Sequence, residues 1–515
     1  MKKGLIVNNI QNREVGGVSS INFAQRVAAS QEFVVRFDIS RKLVSHRGCV
    51  NTLDFNSVGN ILASASDDTF VILWDWETGR KLVSCLSGHH NNVFQAKFMP
   101  FSNDSSLVTC AADGQVRLIE IAQNGMVGSQ FLCKHRGGAH KLAIEPGSPH
   151  NFYTCGEDGV VQHIDLRTRT VTKLFTCLSK RNVMCAIHLH AIVLDPRNPN
   201  LFAVAGTDAF ARLYDIRKFQ WDATKNFAQP VDMFCPLHLM GDVDAGITGL
   251  AFSEQSELLV SYNDEFIYLF AREMGLGPNP ILASNGSDTI ESSLNSMVDF
   301  SPVVPTIFKG HRNFETIKGV YFFGPKCEYV MSGSDCGRIF IWKKKDGELI
   351  RVMEADKHVV NCIEPHPHIP VLASSGIEND IKIWVPKAIE RSILPTNIDI
   401  TARHHLFPFG FGDLRFDNDN GIYIFTDDDD GDDDGDDDGD NNDVDEDDDS
   451  DYGAGSSDYD MDEYDSFDSS NEEEHVVSGD TFGDVDNDDE IDEELHEHAD
   501  NPYLDDDRAR YAEYL

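Results

Sequence analysis

No apolar run in this chain approaches the length that crosses a bilayer. The opening Met1-Lys2-Lys3-Gly4-Leu5-Ile6-Val7 has a basic start, but its apolar part stops at Asn8, too short for the core of a secretory signal. Cysteine pairs are missing as well. The 11 cysteines include no C-x-x-C and their number is odd, which reads as reduced thiols in a nuclear or cytoplasmic protein. Basic residues are scarce, 43 against 87 acidic ones, and 42 of the acids but only 2 of the bases lie from Asp427 onward. What precedes is nearly neutral, so direct binding to nucleic-acid phosphates is not expected. The sequence lacks a glycine-rich phosphate loop, a G-x-S-x-G elbow and an H-E-x-x-H pair, so no enzymatic activity and no cofactor are expected. His188-x-His190 and His366-x-His368 have ligand-like spacing, but no Cys/His pair accompanies them at metal-finger distance, and both read as packing or turn residues.

What is present is repetition. The apolar positions Trp74, Ile119, Ile164, Tyr214, Phe270, Trp342 and Trp384 each close a pair of short alternating strands joined by an Asp/Gly turn. The clearest copies are 62–75 and 330–342; weaker ones keep the turn at Asp113-Gly114, Asp158-Gly159, Thr207-Asp208 and Asn263-Asp264. Seven units near the WD-repeat period of about 40–45 residues predict an all-β, seven-bladed propeller. A histidine precedes several units: His46, His89, His135 and His311. Within a blade it can join a buried polar chain. In the first, His46 bonds Asp67 or Asp68, Ser64 joins, and the Trp74 indole N–H ends the chain; His311, Ser332, Asp335 and Trp342 are the matching set near the other end.

Ring closure leaves its own mark. Arg41-Lys-Leu-Val-Ser45 repeats as Arg80-Lys-Leu-Val-Ser84, the outer strand after Trp74. Pro386 blocks such a strand after Trp384, so residues 41–45 are expected to add the outer strand of the seventh blade. The organisation read from this is an N-terminal arm at 1–32, the propeller at 33–386, a further segment at 387–426 and an acidic tail at 427–515. Residues 219–240 and 274–309 read as insertions, the second as a long surface loop. The tail lacks the apolar content to offset its ordering entropy and is expected to be disordered. Its Asp434-x-Asp436-x-Asp438-Gly439 imitates a calcium loop but reaches Asp445, not Glu, at the twelfth position, and no metal site is expected there. The final Asp505 to Leu515 reads as a frayed terminus.

Two turns carry a further resemblance. Asp165-Leu166-Arg167 and Tyr214-Asp215-Ile216-Arg217 resemble the W-D-x-R box of the WD-repeat substrate receptors of cullin-4 RING ubiquitin ligases, with Ile164 and Tyr214 standing where the box has Trp. Segments 46–53, 92–98, 113–117 and 140–146, with Gly156-Glu-Asp158, are similar to the adaptor-and-cullin-4-associated factor of type eight, or a plant relative of it. The resemblance implies a substrate-recognition subunit that links the ligase adaptor, the large damaged-DNA-binding subunit, to an unidentified target protein. It implies contacts to the adaptor from Asp165, Arg167, Asp215 and Arg217, and from a helix at 20–29 bearing Phe23 and Val27. The alternative is a nuclear scaffold or histone-handling protein that holds basic clients on its acidic tail.

Overall fold

A computed structural model describes residues 29–122, 125–180, 185–218, 228–280 and 304–396, with scattered residues between 10 and 27. Seven four-stranded antiparallel sheets account for the described strands. Blades one to six span 50–86, 93–134, 139–176, 189–234, 247–308 and 320–354, and blade seven spans 360–385. The first strand of each blade contacts the first strand of the next, and Val360–Pro365 returns to Val50–Phe55, so the first strands line a closed ring. Burial follows that geometry. The second strands, such as Leu201–Gly206, are buried throughout, while outer strands such as Arg80–Leu86 alternate between exposed and half-buried positions. Second and third strands pack against neighbouring blades on both faces, and their runs of Val, Leu, Ile and Ala reflect this. Ion pairs tie blades at the inner strands: Asp54 of blade one accepts hydrogen bonds from the Lys97 ammonium at 2.5 Å and the Phe98 amide at 2.8 Å of blade two.

The ring closes as the duplicated pentapeptide predicts. Asp38–Val44 pairs antiparallel with Asp380–Val385, with Leu43 opposite Ile381. Leu43 is buried with Ile381, Ile383 and Val50, and the Lys42 ammonium donates to Asp380 at 2.9 Å. Just upstream, the short helix Gln31–Val34 and Phe37 bury Val34 and Phe37 against Phe323, Met331 and Trp384. The strand is therefore anchored at its start as well as along its length.

A second seam joins the same two blades. His366 Nε2–H donates to the Gly59 carbonyl at 2.9 Å, and its Nδ1 accepts the amides of His368 and Ile369 at 3.0 and 3.2 Å. His368 Nε2 lies 2.8 Å from the Ser57 carbonyl, and Trp76 Nε1 also donates to Gly59 at 2.6 Å. The His-x-His pair is thus a clasp between blades seven and one. Burial lowers the His366 pKa to about 4, so the ring is neutral at physiological pH.

The insertions differ from expectation. The stretch 219–240 holds the outer strand of blade four, Asp232–Phe234, and 274–309 holds that of blade five, Thr306–Phe308. Three residues suffice, because each needs only to cover one edge and one apolar face, with Met233 and Phe234 or with Phe308. Residues 219–227 and 281–303 lie outside the described residues, as do 397–515 and most of the expected helix at 20–29. Among the described residues no helix is long and apolar enough to cross a membrane.

Closure generates two predictions. Deleting residues 1–45 strips the outer strand from blade seven, and the chain is expected to aggregate or to melt without a cooperative transition in calorimetry. A deletion variant that melts like the full chain would contradict the closure. For the clasp, an ordinary His titrates near 6.5 and His366 near 4. The unfolded chain therefore binds more protons between these values, and the clasp's stabilisation is present above that window and lost as pH falls through it. His366→Asn is expected to lower stability by about 2 kcal/mol at pH 7.5, and the gap to the wild type should narrow by pH 5 in urea unfolding.

Candidate functional site

The first blade assembles the polar chain expected of it. Trp74 Nε1–H donates to Ser64 Oγ at 2.9 Å, the Ser64 hydroxyl lies 2.8 Å from His46 Nε2, and His46 Nδ1 faces the Asp68 carboxylate at 3.0 and 3.2 Å. Donors and acceptors run in one direction, indole to hydroxyl to imidazole to carboxylate, so each buried polar atom is satisfied. Burial lowers the His46 pKa and keeps the ring neutral, as that direction requires. Burial works the other way on Asp68, but amide donors from Arg47 and Phe70 and the His46 contact hold its pKa below the ordinary carboxylate value. Asp67 is not part of this chain; it accepts from Asn51 Nδ2 at 2.6 Å. Blade two repeats the pattern with His89, Asp113 and Thr109. Blade three keeps His135 on Asp158 at 2.9 Å.

Blade six departs from the expected chain. Asp335 pairs with Lys318, which is fully buried, and also accepts the Phe314 amide at 2.7 Å. An ammonium outcompetes a neutral imidazole for a buried carboxylate. His311 is left with no hydrogen bond to either ring nitrogen among the described residues, packed edge-on against Trp342 at 5.7 Å. Its pKa falls to about 3 by burial, so it sits there as a neutral aromatic. Trp342 Nε1 donates to the Lys309 carbonyl at 2.9 Å instead, and Ser332 Oγ to the Gly333 carbonyl at 3.0 Å. Blade seven uses a buried lysine too. Lys382 pairs with Asp356, Glu378 and Asp380, the one carboxylate group with metal-ligand spacing among the described residues, and its ammonium fills that space. Sequence reasoning missed both lysines. Their only signal is a basic residue inside an apolar strand pattern.

These networks hold the blades; the exposed chemistry lies in the turns. In each blade the turn after the first strand and the turn after the third emerge at one end of the ring, and the other loops at the opposite end. Both Asp-x-Arg sequences lie in turns after third strands, Val160–Asp165 and Ala211–Asp215, so they share that end in adjacent blades. Asp165 Oδ1 accepts the amide of Arg167 at 2.9 Å, and Asp215 Oδ1 that of Arg217 at 3.0 Å. Arg217 also clasps Asp215 as a fork, Nε to Oδ1 at 3.0 Å and Nη2 to Oδ2 at 2.8 Å, whereas Arg167 reaches Asp165 only at 3.5 Å. The Arg217 guanidinium lowers the Asp215 pKa. The arginine side chains remain 69% and 61% exposed, so most of their donors face outward.

The residues that replace the expected Trp are core. Ile164 is buried, and Tyr214 stacks near Phe175 at 4.3 Å. Phe23 and Val27 carry helical backbone but are 6% and 7% exposed, so the structure buries them rather than presenting them to a partner. His190 is buried against His140 at 5.2 Å, and burial brings its pKa to about 3.

Comparison with known proteins fits this picture. The family model described as WD domain, G-beta repeat matches residues 37–75, 80–120 and 303–343. The chain is 32% identical over 270 residues to DDB1- and CUL4-associated factor 6 of Homo sapiens, covering 51% of this chain and 31% of that protein. It is 31% identical over 297 residues to Protein ALTERED SEED GERMINATION 2 of Arabidopsis thaliana, covering 51% and 39%. It is 22% identical over 630 residues to WD and tetratricopeptide repeats protein 1 of Mus musculus, covering 78% and 91%. The matched part thus spans roughly a third of the first two relatives. Closed ring, repeat turns and family model together make this chain a seven-bladed WD-repeat β-propeller.

Proposed function

We propose that the chain is a substrate-recognition subunit of a cullin-4 RING ubiquitin ligase, joining the ligase adaptor to a target protein. The observation that carries this reading is the pair of Asp-x-Arg turns, side by side on one end of the ring, each with an exposed arginine steered by its own aspartate. The similarity to a protein named DDB1- and CUL4-associated factor 6 supports it. The finer likeness to the type-eight factor belongs to the same proposal, as do a location in nucleus and cytoplasm and an adaptor that is the large damaged-DNA-binding subunit.

The chemistry fits a receptor. The Arg217 guanidinium, already held by the Asp215 carboxylate, has little freedom left to lose when a partner's carbonyls or carboxylates arrive. The subunit forms no covalent bond in this role. It supplies proximity, raising the effective concentration of a target lysine near the conjugating enzyme. The turns at the opposite end of the ring stay available for the target.

Arg167→Ala with Arg217→Ala is expected to weaken capture of purified adaptor by about tenfold or more while the melting temperature is unchanged. Lysine at both positions should restore capture only in part, since a point charge does not reproduce a planar fork. Equal loss of capture and thermal stability would mean that the arginines merely pin their own blades. Unchanged capture would remove the ligase reading.

A further inference from the structure

Glycine marks the turn after the third strand in several blades. The residue four positions after the strand's last is Gly79, Gly125 and Gly347 in blades one, two and six, with φ of 76°, 79° and 70°. In this left-handed region a side chain is strained. The amides of Gly79 and Gly347 close the turn on the Asp75 and Lys343 carbonyls at 2.8 and 3.0 Å. Blade three puts Arg169 at that position, four residues after Asp165, with φ of 55°. Arg169 is exposed, and its side chain makes no hydrogen bond or ion pair among the described residues.

The turn after the first strand tells the same story one blade away. Blade three reads Glu145-Pro-Gly147-Ser148, with Gly147 at φ of 77° and open space where a Cβ would stand. Blade two reads Met99-Pro-Phe101-Ser102, with Phe101 at φ of 59° and 77% exposed. Hydrogen bonds hold this turn: Ser102 Oγ to the Met99 carbonyl at 2.7 Å, Ser105 Oγ to the Ser102 carbonyl at 2.5 Å, and Asn56 Nδ2 to Asp104 at 2.8 Å. A bulky aromatic is thus fixed in a left-handed conformation to project into solvent, a location where nothing in its own blade gains from it.

At the opposite end Thr69 also replaces a glycine, at φ of 65°, but it is half-buried and its carbonyl accepts both the amide and the hydroxyl of Ser87. Its own blade explains it. Arg169 and Phe101 have no such explanation, and both lie at the end of the ring that carries Arg167 and Arg217, so that blades two, three and four present an aromatic and three arginines in succession.

We infer that Phe101 and Arg169 are contact residues for the same partner as the Asp-x-Arg turns, Phe101 as the apolar anchor and Arg169 as an uncommitted cation. The inference rests on the adaptor reading and extends it. The partner surface it specifies has an apolar recess flanked by carboxylates or carbonyls, the pairing that buried aromatic and arginine anchors make in protein interfaces.

The test uses the full chain and purified adaptor. Phe101→Gly and Arg169→Gly remove the side chain and suit the left-handed backbone; Phe101→Asn and Arg169→Asn do the same with a residue that tolerates it. Each is expected to leave the melting temperature unchanged or raised by about 1–3 °C, and to weaken adaptor binding by about fivefold or more. A lowered melting temperature in both the Gly and Asn variants would assign these side chains to the fold and overturn the inference. Undiminished binding, in a titration where Arg167→Ala with Arg217→Ala does weaken it, would overturn the inference and leave the adaptor reading standing. Absence of adaptor binding by the wild-type chain would remove both.

Discussion

Everything in this ring depends on one strand pairing, that of Asp38–Val44 with Asp380–Val385. A propeller blade is stable only between two neighbours, because its second and third strands are buried on both faces. An unclosed ring would leave two such blades with a bare side. Borrowing the outer strand of the last blade from the start of the chain makes the two ends of the fold one sheet. The His366 clasp onto Ser57 and Gly59 then ties that blade to the first at its turns as well. Strand pairing, apolar burial around Leu43 and neutral histidine hydrogen bonds act at one seam, so the ring's weakest junction in chain connectivity is densely cross-linked in space.

With the ring shut, each blade can vary its interior so long as its buried charges remain paired. Blade one uses histidine, serine, tryptophan and aspartate; blade two substitutes threonine and drops the indole; blades six and seven use buried lysines on carboxylates. These are different solutions to one requirement, that the loop entering each blade be fixed to the turn beyond its second strand. In blade six the lysine takes the carboxylate, and the histidine beside it survives only as a neutral aromatic against Trp342.

That equivalence explains what could be read from the residues alone. The seven units, the closing strand and the His46 chain were legible, because they rest on local periodicity, a duplicated pentapeptide and a fixed spacing of His, Ser, Asp and Trp. The outer strands Asp232–Phe234 and Thr306–Phe308 were not, since three residues after a long insertion carry no period. Lys318 and Lys382 were also invisible: a lysine in an apolar strand gives no sign of whether it turns inward to a carboxylate or outward to water. The Asp-x-Arg turns were legible as sequence, but that both arginines stay exposed and that Asp215 holds Arg217 as a fork is a property of the folded turns. Arg169 and Phe101 became visible only when backbone dihedrals showed that they occupy places that sister blades give to glycine.

The two Asp-x-Arg turns have a physical logic of their own. Where blades one and six carry Trp74 and Trp342, blades three and four carry Ile164 and Tyr214, a difference in the interior of the third strand, where Tyr214 lies among Phe175 and Phe202 with its hydroxyl 3.5 Å from Cys177 Sγ. It does not reach the turn. The turn is organised by the aspartate that ends the strand, which accepts the arginine amide two residues on whatever the preceding side chain is. An Asx-type hydrogen bond of this kind needs one carboxylate and one amide, not an indole. Core and surface of these two blades are thereby uncoupled. The interior can hold an aliphatic side chain or a phenol ring in the third strand while the aspartate outside keeps its hold on the arginine amide.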